Sequence, residues 1–272
     1  MNVTKEQLEV LCEIARAAGQ AVMEVYASGT EVWSKADASP LTRADLRADA
    51  IICSELARHF PDLPVLSEES GASRGAGGDI FFLVDPLDGT KEFLKRNGEF
   101  TINIAMISHG SPVAGVVLAP ALGEFYFAAR GLGCWKSTGG TATSLRVRPY
   151  AKGESLGVVG SRSHGAERLR EWLDALPVHH RLMPVGSSLK FCRVAEGQAD
   201  IYPRFGPTSQ WDTAAGQCVL ECAGGSVIDG QGRRLRYGFD LPLLNPEFLA
   251  AGDCSVHATV KRVDLGHGAP LK

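Results

Sequence analysis

The chain has 272 residues, 44% of them apolar, enough for a sizeable core in one large domain or in two closely joined halves. A net charge of −3, no basic run and 7% aromatic residues exclude a nucleic-acid polymer as the expected partner and leave a small anionic ligand at a locally positive site. No window approaches the roughly 20 consecutive apolar residues of a membrane span, so no transmembrane segment is expected.

Met1 to Tyr26 reads as a capped amphipathic helix and not as a signal peptide. Thr4-Lys5-Glu6-Gln7 fits a capping box, and Leu8, Leu11, Ala15, Ala18 and Val22 fall on one face. After a polar link ending at Pro40, a second helix is predicted from the cap Thr42-Arg43-Ala44-Asp45 to Pro61, with Leu46, Ala50, Cys53, Ala57 and Phe60 as its buried stripe. Asp45 has two readings there, a complement to the helix dipole or a functional acid. Val65-Leu66 then runs into Ser67-Glu68-Glu69-Ser70, followed by a Gly-rich stretch from Gly71 to Gly78 with the composition of a mobile surface loop. Glu68 is either part of an exposed acidic pair or, if the two strands pair as neighbours, close to Asp85.

The run Phe81-Phe82-Leu83-Val84 predicts a strand buried on both faces, and it ends in Asp85-Pro86-Leu87-Asp88-Gly89-Thr90. Pro86 should stop the ladder and Gly89 permit a tight turn, letting Asp85 and Asp88 face one space beyond the sheet. Two carboxylates there fit either a solvated acidic turn or a hard cation such as magnesium. Strands are expected over 100–107, 113–118, 124–129 and 131–136, joined by turns as an antiparallel meander. With the preceding helices this gives a helices-on-sheet layer. Polar residues at 137–144 and 150–154 mark a seam between halves. Beyond it, strands and helices alternate, implying helices over a second sheet: strands at 156–160, 181–185, 199–202, 226–228 and 248–251, and helices at 167–176, 188–198 and 211–222.

Three loops of the second half suit an anionic ligand. Ser161-Arg162-Ser163-His164 and Gly186-Ser187-Ser188-Leu189-Lys190 each follow a strand and open a helix, where free N–H groups favour phosphate. Arg204 precedes a loop that leads to Asp212 at the mouth of an apolar helix; Asp212 is equally well an ordinary cap, and Lys190 a solvated helix face. The seven cysteines, with no CxxC, fit reduced and mostly buried thiols in the cytoplasm better than a disulfide framework. Cys218 and Cys222, one helical turn apart, lack a nearby His or second Cys pair to complete a soft-metal site.

Ser67-Glu68-Glu69-Ser70, Asp85-Pro86-Leu87-Asp88-Gly89-Thr90 and Trp211-Asp212-Thr213-Ala214-Ala215 together resemble the three signature motifs of the lithium-sensitive, magnesium-dependent phosphatases related to inositol monophosphatase. The resemblance covers nearly the whole chain and weakens only in the Gly-rich stretch and past about Gly230. Lys91-Glu92-Phe93 after the central turn is similar to the 3′(2′),5′-bisphosphate nucleotidase branch, where inositol monophosphatases typically carry a second threonine and an asparagine. The run Gly186 to Ala215 looks like the bacterial sulfate-assimilation member of that branch.

The resemblance implies an α/β (α+β) fold, a five-layer αβαβα sandwich. Residues 1–150 would carry most metal ligands, and residues 151–272 the last ligand and the nucleotide-binding residues. It implies two or more Mg2+ per active site, one held by Glu68, Asp85 and the Leu87 carbonyl, a second by Asp85, Asp88 and Asp212. Thr90 with Asp45 would orient the attacking water, Glu68 would assist, and Lys35 would lie near the metals. Glu68, Leu87, Asp88, Gly89, Thr90, His164, Ser187, Lys190, Arg204 and Asp212 would contact substrate.

The implied reaction converts adenosine 3′,5′-bisphosphate, a by-product of sulfate activation and sulfotransfer, to AMP and phosphate. Lys190 and Arg204 supply fixed cations for a second phosphate, which an inositol ring would not need. The alternatives on this scaffold are an inositol-1-monophosphatase, a sugar bisphosphatase, or a non-catalytic nucleotide or metal sensor. The implied location is cytoplasmic; some relatives are peripheral to the cytoplasmic face of the inner membrane, and no anchor in this sequence requires that here. The oligomer is left open between monomer and homodimer.

Overall fold

Helix α1 (Lys5–Ser28) closes the expected capping box: the Thr4 hydroxyl accepts the Gln7 N–H, and the Gln7 side chain accepts the Thr4 N–H. Its predicted apolar face is buried. The computed structural model in which this is seen describes residues 2–29, 32–34, 40–72, 77–151, 153–162 and 166–260. A hairpin of β1 (Val32–Ser34) and β2 (Pro40–Thr42) leads into α2 (Arg43–His59).

In α2 the predicted stripe is rotated. The buried face is Ala44, Asp45, Ala48, Asp49, Ile52 and Leu56, whereas Leu46 is 45% exposed and Ala50 and Ala57 face solvent. Ala44, Ala48, Ile52 and Leu56 recur every four residues, and the two alanines let α2 lie close on α1. Two carboxylates are carried inward with them because donors wait inside. Thr42 donates to Asp45, and the Ser67 and Ser70 hydroxyls donate to Asp49.

The first sheet follows: β3 (Val65–Ser67), β4 (Gly71–Ala72), β5 (Ile80–Asp88), then after the short α3 (Thr90–Leu94) β6 (Thr101–Ser108), β7 (Ser111–Ala119), β8 (Glu124–Ala129), β9 (Gly133–Thr138) and β10 (Thr141–Ser144). Its order is β10-β9-β8-β7-β6-β5-β3-β4, antiparallel except where β3 runs parallel to β5. The meander is therefore present, but the polar stretch 137–144 is the tip of its last hairpin and not a linker. An exposed polar strand such as β10 suits a sheet edge.

The second half supplies β11 (Leu156–Ser161), α4 (Ala166–Asp174), β12 (His180–Val185), α5 (Leu189–Ala195), β13 (Ile201–Arg204), α6 (Gln210–Cys222), β14 (Ser226–Asp229), β15 (Phe248–Ala251) and α7 (Ser255–Val260). Its strands form a mixed sheet of order β12-β11-β13-β15-β14. Among the described residues no helix is long and apolar enough to cross a membrane.

Alternation along β5 explains the layering. Phe82 and Val84 pack into the cluster made with α1 and α2, and Phe81 and Leu83 into the cluster made with α5 and α6. Val159, Tyr202 and Phe248 of the second sheet close that middle cluster from the other side, and Leu169, Trp172 and Val256 cover the sheet's outer face. The five-layer αβαβα sandwich follows directly.

Helix α6 thus rests on the first sheet, although it belongs to the second half of the chain. Contact is close at β7, where a Cβ on Gly115 would stand 2.7 Å from the Ala215 carbonyl oxygen and 2.8 Å from the Cys218 Cβ. Gly115→Ala should therefore cost about 1–3 kcal/mol, the usual price of overpacking, in denaturant unfolding. An unchanged midpoint would show that α6 is free to move off β7.

Candidate active site

The central strand does not stop at Pro86. In the β5–β6 ladder Asp85 faces Asn103, and pairing resumes with Asp88 facing Thr101, so three steps along β5 match two along β6. This one-residue bulge contains Pro86, where no ladder N–H is needed. It also reverses the alternation, which returns Asp88 to the face occupied by Asp85. That face is the one covered by α6.

Two neighbours bring further acids to it. Strand β3 lies parallel beside β5, with Ser67 opposite Val84 and the Glu68 N–H donating to the Val84 carbonyl at 3.1 Å, so Glu68 emerges next to Asp85. Asp212 arrives on the first turn of α6, where its Oδ2 accepts the Ser209 N–H at 2.8 Å in a capping box. Oxygens of Glu68, Asp85 and Asp212 lie within 4.8 Å of one another. Burial, then the charges of Glu68, Asp88 and Asp212, hold the Asp85 carboxyl well above the ordinary carboxylate range. Burial and the Asp88 charge push Asp212 up to about 8. Crowded, buried, oxygen-only donors of this kind fit a hard divalent cation.

In Asp85 and Asp88 one carboxylate oxygen is held by the chain, and in Asp45 both are. Asp85 Oδ1 accepts the Leu87 N–H at 3.1 Å. Asp88 Oδ2 accepts the Ser188 N–H at 2.6 Å and the Ser188 hydroxyl at 2.7 Å. Asp45, only 1% exposed, takes the Thr42 N–H and hydroxyl on Oδ2 and the Thr90 hydroxyl on Oδ1 at 3.3 Å. The Leu87 carbonyl is 3.4 Å from the same Thr90 hydroxyl.

A cavity of 280 Å3 opens over these groups. Every predicted site residue at a described position lines it except Asp45, which stands behind Thr90. Lys190 and Arg204 line the same cavity, near enough for Lys190 to feel the charges of Asp88 and Arg204, and Asp212 that of Arg204. Lys190 is 5% exposed, donates to the Ser187 carbonyl at 2.6 Å and lies over the Tyr202 ring; burial pulls its ammonium down to about 8. It is therefore no solvated helix residue. Arg204 donates to the carbonyls of Gly206 and Pro207. Lys35, His164, Ser163 and residues 73–76 of the Gly-rich stretch lie outside the described residues.

Several contributors escape sequence reasoning. Asp49, one turn beyond Asp45, accepts the Ser67 and Ser70 hydroxyls and so holds the loop that carries Glu68; the four-residue repeat of α2 was the available signal. Arg162 does not face the cavity. It donates twice to Glu99, whose carboxylate also takes the Gly186 N–H. Asn103 and Ser188 meet Asp88 only through tertiary contact, and nothing local marks them.

The match to the inositol monophosphatase family spans residues 4–262. The 3′(2′),5′-bisphosphate nucleotidase CysQ of Escherichia coli (strain K12) is 50% identical over 246 residues, 89% of this chain and 98% of that protein. That of Salmonella typhimurium is 49% identical over 245 residues, again 89% of this chain and 98% of the relative. The crystal structure of CysQ from Bacteroides thetaiotaomicron, a bacterial member of the inositol monophosphatase family, superposes with a TM-score of 0.77 at 37% identity, covering 91% of this chain and 97% of that one. The extragenic suppressor protein suhB from Bartonella henselae gives 0.79 at 28% identity, covering 96% and 98%. A family match over nearly the whole length, joined to this fold and this cluster of acids, leads to one conclusion: the chain belongs to the inositol monophosphatase family.

Proposed function

We propose that the chain is a magnesium-dependent 3′(2′),5′-bisphosphate nucleotidase that hydrolyses adenosine 3′,5′-bisphosphate to AMP and phosphate. The observation that carries this reading is a cavity lined both by a cluster of acids and by a buried lysine beside an arginine. A substrate with two phosphates has a use for the acids and for the two cations, and a simple sugar monophosphate for the acids alone. Relatives named for this activity share half of their residues with the chain.

In this reading Glu68, Asp85, Asp88, Asp212 and the Leu87 carbonyl would hold the magnesium ions, Asp85 being the most buried of the four acids. When bound, the ions neutralise the phosphate oxygens, activate water and stabilise the departing alkoxide. The remaining work falls to the protein. Asp45, fixed by its two bonds from Thr42, accepts a hydrogen bond from the Thr90 hydroxyl, so the Thr90 oxygen presents lone pairs to an attacking water. Lys190 and Arg204 bind the phosphate that is not cleaved. Held by burial near the edge of its protonated range, the Lys190 ammonium gains from an arriving anion more than an exposed lysine would.

The test is phosphate release by metal-stripped protein, with and without magnesium, from adenosine 3′,5′-bisphosphate and from inositol 1-phosphate at equal concentration. Magnesium-dependent release favouring the nucleotide is expected, and Asp212→Asn should reduce it at least 100-fold. Preference for inositol phosphate would overturn the substrate assignment and leave the site intact. Lys190→Met, which keeps the buried stem, should raise KM for the bisphosphate about tenfold or more, as expected for one charge-assisted bond, and change KM for adenosine 3′-phosphate little. An equal effect on both would remove Lys190 from the second phosphate.

A stability measurement probes the same acids without turnover. The folded pKa of Asp212, about 8, lies above the ordinary value of 3.8. Its contribution to the stability of the metal-free fold is therefore complete below about pH 4 and is lost as pH rises towards 8. Magnesium relieves that repulsion and competes with fewer protons as pH rises. The increase in Tm on adding magnesium should be larger at pH 8 than at pH 6; an increase independent of pH would disconnect the cation from these carboxyls.

A further inference from the structure

We propose that Ser188 is a positioning residue of the cation site: its hydroxyl aims the Asp88 carboxylate and ties it to the α6 turn that carries Asp212. The inference rests on the assignment of Asp88 as a ligand made above. Asp88 is the last residue of β5, beyond the bulge and followed by Gly89 at φ 91°, so its own strand does little to orient it. Ser188 gives that orientation from the other half of the chain. Its N–H and its hydroxyl both reach Asp88 Oδ2, at 2.6 and 2.7 Å, which leaves Oδ1 to face the cavity.

The hydroxyl serves more than one partner. Ser188 Oγ is also 2.7 Å from the Asp212 carbonyl oxygen, and it accepts the Asn103 amide at 3.0 Å. A hydroxyl has one proton, so Asp88 and Asp212 share it while Asn103 fills a lone pair. Asn103 stands opposite Asp85 in the β5–β6 ladder. One buried hydroxyl, on a residue 2% exposed, thereby joins the strand bearing Asp85 and Asp88, the strand beside it, and the helix bearing Asp212.

Two local features show that the chain is arranged for this contact. Ser188 occupies the N-cap position of α5, where a serine normally bonds its own helix, yet its side chain makes no cap bond. Ser187 before it is held at φ 47°, in the left-handed region that residues other than glycine seldom adopt. Gly186 is pinned in turn: its N–H donates to Glu99, and a Cβ there would stand 2.7 Å from the Glu99 carbonyl oxygen. The segment forgoes a helix cap and a relaxed backbone, and the Ser188–Asp88 contact is what that conformation makes.

The test is calorimetric titration of the metal-stripped full chain with Mn2+, alongside its metal-free Tm. Removing the outer partner of a metal ligand typically weakens affinity by 10–100-fold. Ser188→Ala should therefore weaken one Mn2+ binding step by about tenfold or more with a metal-free Tm close to wild type, and Asp88→Asn should lose the same step. Weakened binding in Asp88→Asn with wild-type binding in Ser188→Ala would overturn the role of Ser188 alone. Unchanged binding in Asp88→Asn would overturn the ligand assignment beneath it, and this inference with it. A fall in metal-free Tm together with weakening of every step would make Ser188 a structural residue and overturn the proposal. Should Ser188→Ala fold poorly, Ser188→Thr, which keeps the hydroxyl, should bind that step within a few-fold of wild type while Asn103→Ala, which removes the amide on both the hydroxyl and, at 3.4 Å, Asp88 Oδ2, weakens it; wild-type affinity in Asn103→Ala or full loss in Ser188→Thr would overturn the proposal.

Discussion

Several carboxylates held out of water at one point repel one another, and much of the architecture exists to hold them there. Glu68, Asp85, Asp88 and Asp212 press their charges together, and the upward shifts of Asp85 and Asp212 express that tension. The protein resists by dividing the work of each aspartate. One oxygen of Asp85, Asp88 and Asp212 is bonded to a fixed N–H of the chain, and the other carboxylate oxygen is left for the site. Asp45 follows the same rule, with Oδ2 on Thr42 and Oδ1 on Thr90.

Two of these residues do so inside a capping box. Asp45 in α2 and Asp212 in α6 are the third residues of their helices, each reaching back to the N–H of the cap. In the proposed reading, capping and chemistry are compatible uses of one side chain. A helix start is also a rigid place to mount an acid, since the first turn is tied at both ends. The middle layer then brings the mounts together. Helix α6 lies against the first sheet over Gly115, so a residue from far along the chain completes a group begun at Glu68.

Where sequence reading and structure part, the cause is satisfaction of polar groups by distant partners. Hydropathy put Leu46 inside α2 and left Asp45 open between a dipole complement and a functional acid; the helix instead buries Asp45 and Asp49, because Thr42, Ser67 and Ser70 supply donors. Of the two readings of Lys190, a solvated helix face and a fixed cation of the ligand site, the first fails: it is buried with its ammonium on the Ser187 carbonyl. Pro86 looked like the end of a strand and is instead the site of a bulge that sets the parity of Asp88.

The sequence alone determined the local and periodic features: the buried central strand, the meander, both caps, the alternation of the second half, and the identity of the acids through three widely spaced motifs. Those signals are legible because each rests on side-chain period or on bonds within a turn. Only the tertiary structure decided which face of α2 is buried, that Asp49 anchors the Glu68 loop, and that Ser188 rather than solvent completes Asp88. These depend on donors and acceptors tens of residues apart, from Asp49 to Ser67 and from Asp88 to Ser188, and nothing local in the chain records such a pairing.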